Sequence, residues 1–345
     1  GVAVGLPVLN TAFFVNPAAA AEGKVLNFMS AENLTGNWDP SSHTTLAQIN
    51  LESFVFGYLT RAPMRPDNPD ELVMELATDM KLIDEHTLEF TLREGVTFHD
   101  GKPFGAEDVK ATFEYASQPD RPAAWYPGPC EVEVVSDHVA RIKTDKAGYP
   151  ASLFWFLSAF LPIMSAKDVA DPKTLSARPN GTGAFKFARQ EGNTTVLEAF
   201  DGFYLGKPAI PGINFGFVGD ATTRTLALLN GEADLIERLE AEQVQTIEET
   251  GGFRLNKAVS VENKYLWFRC SKPPFNDPRL RKAAAHAIDR AVLLDILGVS
   301  GHASKAWISP VKFGYVDTPN YPEYNPEECQ RLLAEAGFPK GEIGR

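Results

Sequence analysis

Two hydrophobic periods alternate along this chain, and they alternate irregularly. From Thr87 to Arg93, Leu88, Phe90 and Leu92 fall on one side while Thr87, Glu89, Thr91 and Arg93 fall on the other. That period of two marks a half-buried strand. Phe104 to Tyr115 then reads as a helix, with Gly105 at the N-cap and Asp108 three residues on, where a carboxylate suits the helix dipole. Glu131 to Thr144 reads as a hairpin turning at Ser136-Asp137, and Phe185 to Phe200 as another turning at Gly192-Asn193. Such hairpins interrupt any βαβ rhythm. The pattern suits an α/β chain of several lobes with crossing connections better than one doubly wound sheet.

Other elements fill in around these. Lys24 to Ser30 starts as a strand, a turn-rich stretch covers Ala31 to Ser42, and Leu46 to Leu59 has helical spacing. Residues 61–70 read as a Pro- and Asp-rich loop. Asp220 is placed to cap a helix with Leu226 and Leu229 on its buried side and Gly231 at its end, followed by a short strand at Leu235-Ile236. Tyr265 to Cys270 reads as a strand. Asn276-Asp277-Pro278 opens a helix expected to run to about Leu297, with Pro278 at its first position. Asn325-Pro326-Glu327-Glu328 is a capping box for a helix from Cys329 to Ala336, closed by Gly337. At 345 residues the chain exceeds one ordinary core.

The formal net charge of -12 argues against a nucleic-acid or anionic-membrane partner. Cys130, Cys270 and Cys329 lack zinc or thioredoxin spacing, and an odd count leaves at least one thiol unpaired within a monomer. Val2 to Val15 is mostly apolar and precedes Pro17-Ala18-Ala19-Ala20-Ala21. Residues 1–21 therefore read as the tail of a secretory signal, the alternative being a buried or disordered N-terminal arm. The apolar run is too short and too interrupted to span a bilayer comfortably.

No catalytic constellation emerges. The six histidines form no HExxH or HxH pattern, so no metal site is expected. His99, at a strand-to-turn junction, is expected to make a structural hydrogen bond, and His286, among alanines on a helix, to pack. Gly181-Thr182-Gly183 lacks the Lys-Ser/Thr end of a phosphate loop, and strand-like residues follow it. No GxSxG is present, and no cofactor is expected.

Several blocks together resemble the family 5 solute-binding proteins of ABC importers, the dipeptide, oligopeptide and nickel-binding type. The first runs from Leu76-Ala77-Thr78-Asp79 through Thr87-Leu88-Glu89-Phe90 and Gly95-Val96-Thr97-Phe98-His99-Asp100-Gly101-Lys102-Pro103-Phe104 to Ala106-Glu107-Asp108-Val109. Asn180-Gly181-Thr182-Gly183-Ala184-Phe185 is similar to the family's GTGPY turn, and Asn230-Gly231-Glu232-Ala233-Asp234 to its GEVD end. Tyr265-Leu266-Trp267-Phe268-Arg269, Pro273 to Ala283, Ala287 to Arg290 and Leu332 to Gly337 follow in family order. Gly105 stands where the family usually has Thr or Ser, and Arg269 where it usually has Asn.

The resemblance implies a type II periplasmic binding protein fold with an extra domain, closing on its ligand by a hinge. The expected domains are residues 22–48 and 170–264 as lobe I, 49–169 as a smaller extra domain, and 265–345 as the start of an incomplete lobe II. Family members usually continue beyond the Leu332–Gly337 helix, so the resemblance implies a chain lacking part of its cleft. It implies a periplasmic, monomeric receptor that hands a peptide or similar solute to membrane permease subunits. A chemosensory partner of the same fold is the alternative, and a secreted hydrolase a more distant one.

Four places are candidates for the ligand. The loop from Ser30 to Leu34, with Glu32, Asn33 and Leu34, follows the first strand, at the kind of strand end where α/β folds bind; otherwise it is a solvated turn. Trp125 and Tyr126, in a Pro-rich loop, either stack on a ligand or fill the lobe's edge. Trp267 and Arg269 share a strand face by the period of two and suit an acidic group, or else form a core Trp and a surface Arg. Phe154-Trp155-Phe156 reads as core.

Overall fold

The computed structural model describes residues 13–15, 23–42, 45–61, 72–121, 129–144, 161–256, 266–297, 305–306, 315–316, 318 and 320–339. Trp125, Tyr126, the Phe154–Phe156 run, Tyr265 and most of the expected signal segment lie outside the described residues. The chain divides into two units, Gly1–Ala258 and Val259–Arg345.

In chain order the first unit contains β1 (Phe13–Val15), β2 (Leu26–Ser30), α1 (Leu46–Val55), β3 (Thr60–Arg61), β4 (Val73–Met74), β5 (Ala77–Asp84), β6 (Thr87–Leu92) and α2 (Ala106–Ala116). It continues with β7 (Glu131–Ser136), β8 (Val139–Lys143), α3 (Ala166–Val169), α4 (Pro172–Ala177), β9 (Phe185–Glu191), β10 (Thr194–Ala199) and β11 (Gly212–Phe217). α5 (Ala221–Leu229), β12 (Leu235–Ile236), α6 (Ala241–Thr250) and β13 (Arg254–Asn256) complete it. The second unit contains α7 (Pro278–Ala287), α8 (Arg290–Leu297) and α9 (Pro326–Glu335).

The strands form two main sheets. The larger has seven strands in the order β13-β1-β12-β2-β11-β10-β9. Its centre is parallel: β12 and β11 both run parallel to β2, and the flanking pairs are antiparallel. The apolar run that reads as a signal supplies Phe13–Val15 as a strand of this sheet. Period-two alternation sends successive residues to opposite faces. Phe28 and Leu235 join a core with Leu51, Phe54, Val55 and Phe215 on the α1 side. Met29 and Ile236 face a second core with Ala227, Leu228 and Ile247, beneath α5 and α6.

The smaller sheet, β5-β6-β8-β7, carries α2 on one face. Leu88, Phe90, Leu92, Val109, Phe113, Val132 and Ile142 form its core. On β6, β8 and β7, Glu89, Arg141, Glu133 and Lys143 form a ladder of ion pairs at 2.7, 3.6 and 3.3 Å. Cross-strand opposite charges of this kind suit a solvated sheet surface. The Gly105 cap is as expected, with its N–H donating to Asp108 Oδ2 at 2.9 Å. The hairpins turn at Asp137-His138, one residue later than the sequence suggests, and at Gly192-Asn193.

Three helix expectations need correction. The first helix stops at Val55, because Phe56 turns extended and the carbonyls from Val55 onward bond elsewhere. The Val55 carbonyl accepts from Gly183 N–H at 2.8 Å, the Gly57 carbonyl from Ile163, and the Tyr58 carbonyl from Leu76. A Cβ on Gly181 would lie 2.0 Å from the Val55 oxygen, so that approach requires glycine. On α5, Leu226 is 53% exposed, and the buried residues include Arg224, Thr225, Ala227 and Leu228. The helix expected from Asp277 to Leu297 is two helices. Ile288 is extended and Asp289 starts the second, accepting from the N–H groups of Ala291 and Val292.

The second unit has little core of its own: Leu280, Ala283 and Leu332 are its buried apolar side chains among the described residues. α7 and α9 pack together, with Arg279 donating to the Glu335 carbonyl at 2.6 Å and Asn325 N–H to that of His286 at 2.9 Å. The ring of His286 bonds the Glu323 carbonyl at 2.7 Å. Asn325 caps α9 by accepting from Glu328 N–H, as expected. All three cysteines are free thiols.

Candidate functional site

The three parallel strands β12, β2 and β11 end at one edge of the large sheet, at Ile236, Ser30 and Phe217. The chain leaves β2 for α1 on one face and leaves β11 for α5 on the other. Adjacent parallel strands whose connections diverge open a crevice beyond their carboxyl ends, the place where open α/β sheets take ligands. The loops around this crevice are 31–34, 218–220 and 237–240.

Glu237 and Arg238 follow directly on the buried strand β12. Glu237 is 2% exposed, and its Oε1 accepts from Ser30 Oγ at 2.6 Å and from Ala31 N–H at 3.3 Å. Burial pushes the Glu237 carboxyl above its ordinary range, against the hydrogen bonds from Ser30 and Ala31 that pull it down. Ser30 is fully buried, so its hydroxyl serves as a strut between β2 and the loop after β12.

Glu32 bridges the other way. Its Oε1 lies 2.6 Å from Arg238 Nη1, and its Oε2 accepts from Ala47 N–H, in the first turn of α1, at 3.3 Å. Thr45, the N-cap of α1, makes no side-chain cap. The Glu32 carboxylate therefore satisfies an N–H that the helix leaves open, at its positive end. Both members of the Glu32–Arg238 pair keep about a third of their side-chain surface exposed, at 33% and 31%.

Beneath this pair lies Arg224, 2% exposed. Its guanidinium donates to the carbonyls of Val218 (2.6 Å), Gly219 (2.9 Å), Glu237 (3.2 Å) and Arg238 (2.7 Å). A buried cation surrounded by four carbonyl oxygens is well solvated by backbone dipoles. It ties the loop after β11 to the loop after β12. The opposite edge of the strands is held by Asp234, whose Oδ2 accepts from Asn27 N–H at 2.8 Å.

The sequence expectations divide among these places. Glu32 stands in the crevice with its partners, and Asn33 beside it is exposed. Leu34 turns inward and packs on the core beneath α1. Trp267 and Arg269 are exposed in the second unit, Trp267 at 72%. Leu266 to Arg269 do not form the expected strand, and a turn begins at Cys270. An alternating pattern supplies two faces but no ladder partner, and none is present among the described residues.

Sequence reasoning placed Ser30 in the candidate loop but missed its strut role, and it missed Arg224, Glu237 and Arg238. A usable signal existed for the last two: charged residues placed directly after a short apolar strand. His99 behaves as expected. Its Nε2 bonds the Gly183 carbonyl at 3.0 Å, and its Nδ1 faces Gly181 N–H at 3.4 Å. Among the described residues no three His, Cys, Asp or Glu side chains gather as a metal site would require, and no helix is long and apolar enough to cross a membrane.

Comparison with known proteins adds lineage to this geometry. A model of the bacterial extracellular solute-binding proteins of family 5, middle region, matches residues 71–345. The heme-binding protein A of Haemophilus influenzae is 29% identical over 283 residues, covering 73% of this chain and 51% of the relative. The glutathione-binding protein GsiB of Salmonella typhimurium is 28% identical, covering 98% of this chain and 65% of the relative. The chain thus spans between about half and two thirds of the length of these relatives. Among solved structures, MoaA of A. tumefaciens R10 with mannopinic acid aligns at a TM-score of 0.76 and 26% identity, over 92% of this chain and 66% of that one. AppA of Bacillus subtilis with a nonapeptide aligns at 0.77 and 22% identity, over 91% and 64%, a likeness of fold.

Proposed function

Because the chain belongs to the bacterial extracellular solute-binding proteins of family 5, we propose that it captures a small polar organic solute, a peptide or a similar molecule, for an ABC importer. Capture takes place in the periplasm, on the monomer, and the loaded form is handed to the membrane permease subunits. The observation that carries this reading is the partly exposed Glu32–Arg238 pair in the crevice beyond β2, β11 and β12. A carboxylate and a guanidinium side by side match a solute that carries both charges. Some relatives and neighbours are named for glutathione, for the dipeptide Met-Leu, for the peptide STSA and for mannopinic acid, all of them polar and carboxylate-bearing, while others are named for heme and for Ni(L-His).

Asn33 is proposed to add a polar contact at the crevice. In the second unit, Trp267 and Arg269 are proposed as ligand contacts in their own right, an indole for stacking and a fork for an acidic group. Calorimetric titration of the purified protein with glutathione, Met-Leu, STSA and mannopinic acid tests the proposal. Saturable one-to-one binding of at least one is expected, weakened at least tenfold by Glu32→Ala. No heat of binding with any of the four would sink it.

A further inference from the structure

Arg238 is the one non-glycine residue with a positive φ among the described residues, at 52°. In that left-handed region Cβ crowds the backbone, and glycine takes the conformation without penalty. The strain sits at the crevice, not in a remote turn. It is held by Arg224, which donates to the carbonyls of Glu237 and Arg238 from below. The result is a corner that aims the Arg238 side chain back across β2, where Nη1 meets Glu32 at 2.6 Å. Among the described residues Glu32 is its ion-pair partner, which leaves the rest of a five-donor fork for a further acceptor. Backbone strain that persists where a glycine would relieve it points to a side chain needed for function.

We infer that Arg238 is a specificity-determining contact whose guanidinium holds a carboxylate of the captured solute, with Arg224 as the positioning residue that keeps its backbone in the strained form. The inference rests on the capture reading above and names the part of the solute that the crevice recognises. Glu32 then has two tasks: it keeps the Arg238 fork oriented while the site is empty, and it lies next to the incoming carboxylate, where it favours a solute with a cationic group alongside. A neutral solute offers Glu32 no further partner, and a purely anionic one is repelled by it.

The test separates this role from a structural one, because the two predict opposite signs. The tightest binder among glutathione, Met-Leu, STSA and mannopinic acid is titrated against the parent protein and Arg238→Gly, together with its carboxamide, and both proteins are melted without ligand. Arg238→Gly should melt at the same temperature or higher, since glycine relieves the strain. Its affinity for the free acid should fall at least tenfold, with the carboxamide affected less than threefold. Arg238→Lys should lose less for the acid than Arg238→Gly. Unchanged affinity for the acid, or an equal loss for acid and carboxamide, would overturn the assignment. So would a fall in melting temperature that accompanies the loss of affinity. A parent protein that binds none of the four overturns the capture reading itself, a result distinct from normal binding that ignores the substitution.

Discussion

At the scale of single residues, His99 shows how a buried polar side chain becomes part of the framework. Both ring nitrogens are committed to the Gly181–Gly183 turn, Nε2–H donating to one carbonyl and Nδ1 accepting from one N–H. That arrangement needs the neutral ring, and burial holds its pKa down to about 4 from 6.5. A histidine depressed in the folded state binds fewer protons there than in the unfolded chain. Its contribution is complete above about pH 6.5 and is lost as pH falls toward about 4. Urea unfolding should therefore show the protein losing about 2 kcal/mol more between pH 7 and pH 5 than a His99→Gln variant does. Equal losses in the two proteins would mean that the ring titrates normally. Gly181 beside it works by the opposite means: the position is defined by the side chain it cannot have.

At the scale of elements, the rotation of α5 about its axis is decided by one polar residue. Leucines at 226 and 229 have the spacing of a buried stripe, yet Leu226 is 53% exposed. Arg224 must face the ends of β11 and β12 to reach its four carbonyls, and that fixes the face on which Thr225, Ala227 and Leu228 are buried. The Asp220 cap, accepting from Thr223 N–H at 2.7 Å, is independent of this rotation and was readable from sequence. Leu226→Gln should accordingly change the unfolding free energy by less than about 0.5 kcal/mol, whereas Leu228→Ala should cost about 2–4 kcal/mol. Chemical denaturation of the two variants decides it, and a reversed order would place the helix as the leucine spacing suggests. The break between α7 and α8 has the same lesson. Helical periodicity continues across Ile288, but Asp289 offers a better start for a new helix than a site inside an old one.

At the scale of the whole molecule, burial is uneven. The first unit holds several apolar cores on two sheets, while the described part of the second buries only Leu280, Ala283 and Leu332. Free energies of local opening follow buried apolar contact. Native-state hydrogen exchange should therefore find the amides of β6, β8 and β11 among the slowest, and those of α7, α8 and α9 faster by orders of magnitude. Matching protection in both units would show that the second owes its stability to something other than its own buried side chains. Much of this molecule was legible in the linear chain. The strand Thr87–Leu92, the caps at Gly105, Asp220 and Asn325, and the hairpin at Gly192-Asn193 follow from local periodicity and local hydrogen bonding. The family followed from blocks quoted in order, and Glu32 from its place after a strand. Those signals are local because each depends on residues within a few positions. Arg224 was invisible, and so were the pairings of Ser30, Glu237 and Arg238, because the partners lie far off in sequence: Ser30 meets Glu237 only after β2 and β12 pair. Sequence determined most of the segments that become strands and helices, though not their ends or the fate of Leu266–Arg269; tertiary structure alone decided which strand ends meet, since parallel pairing joins distant segments, and it thereby decided where the charges of the crevice stand.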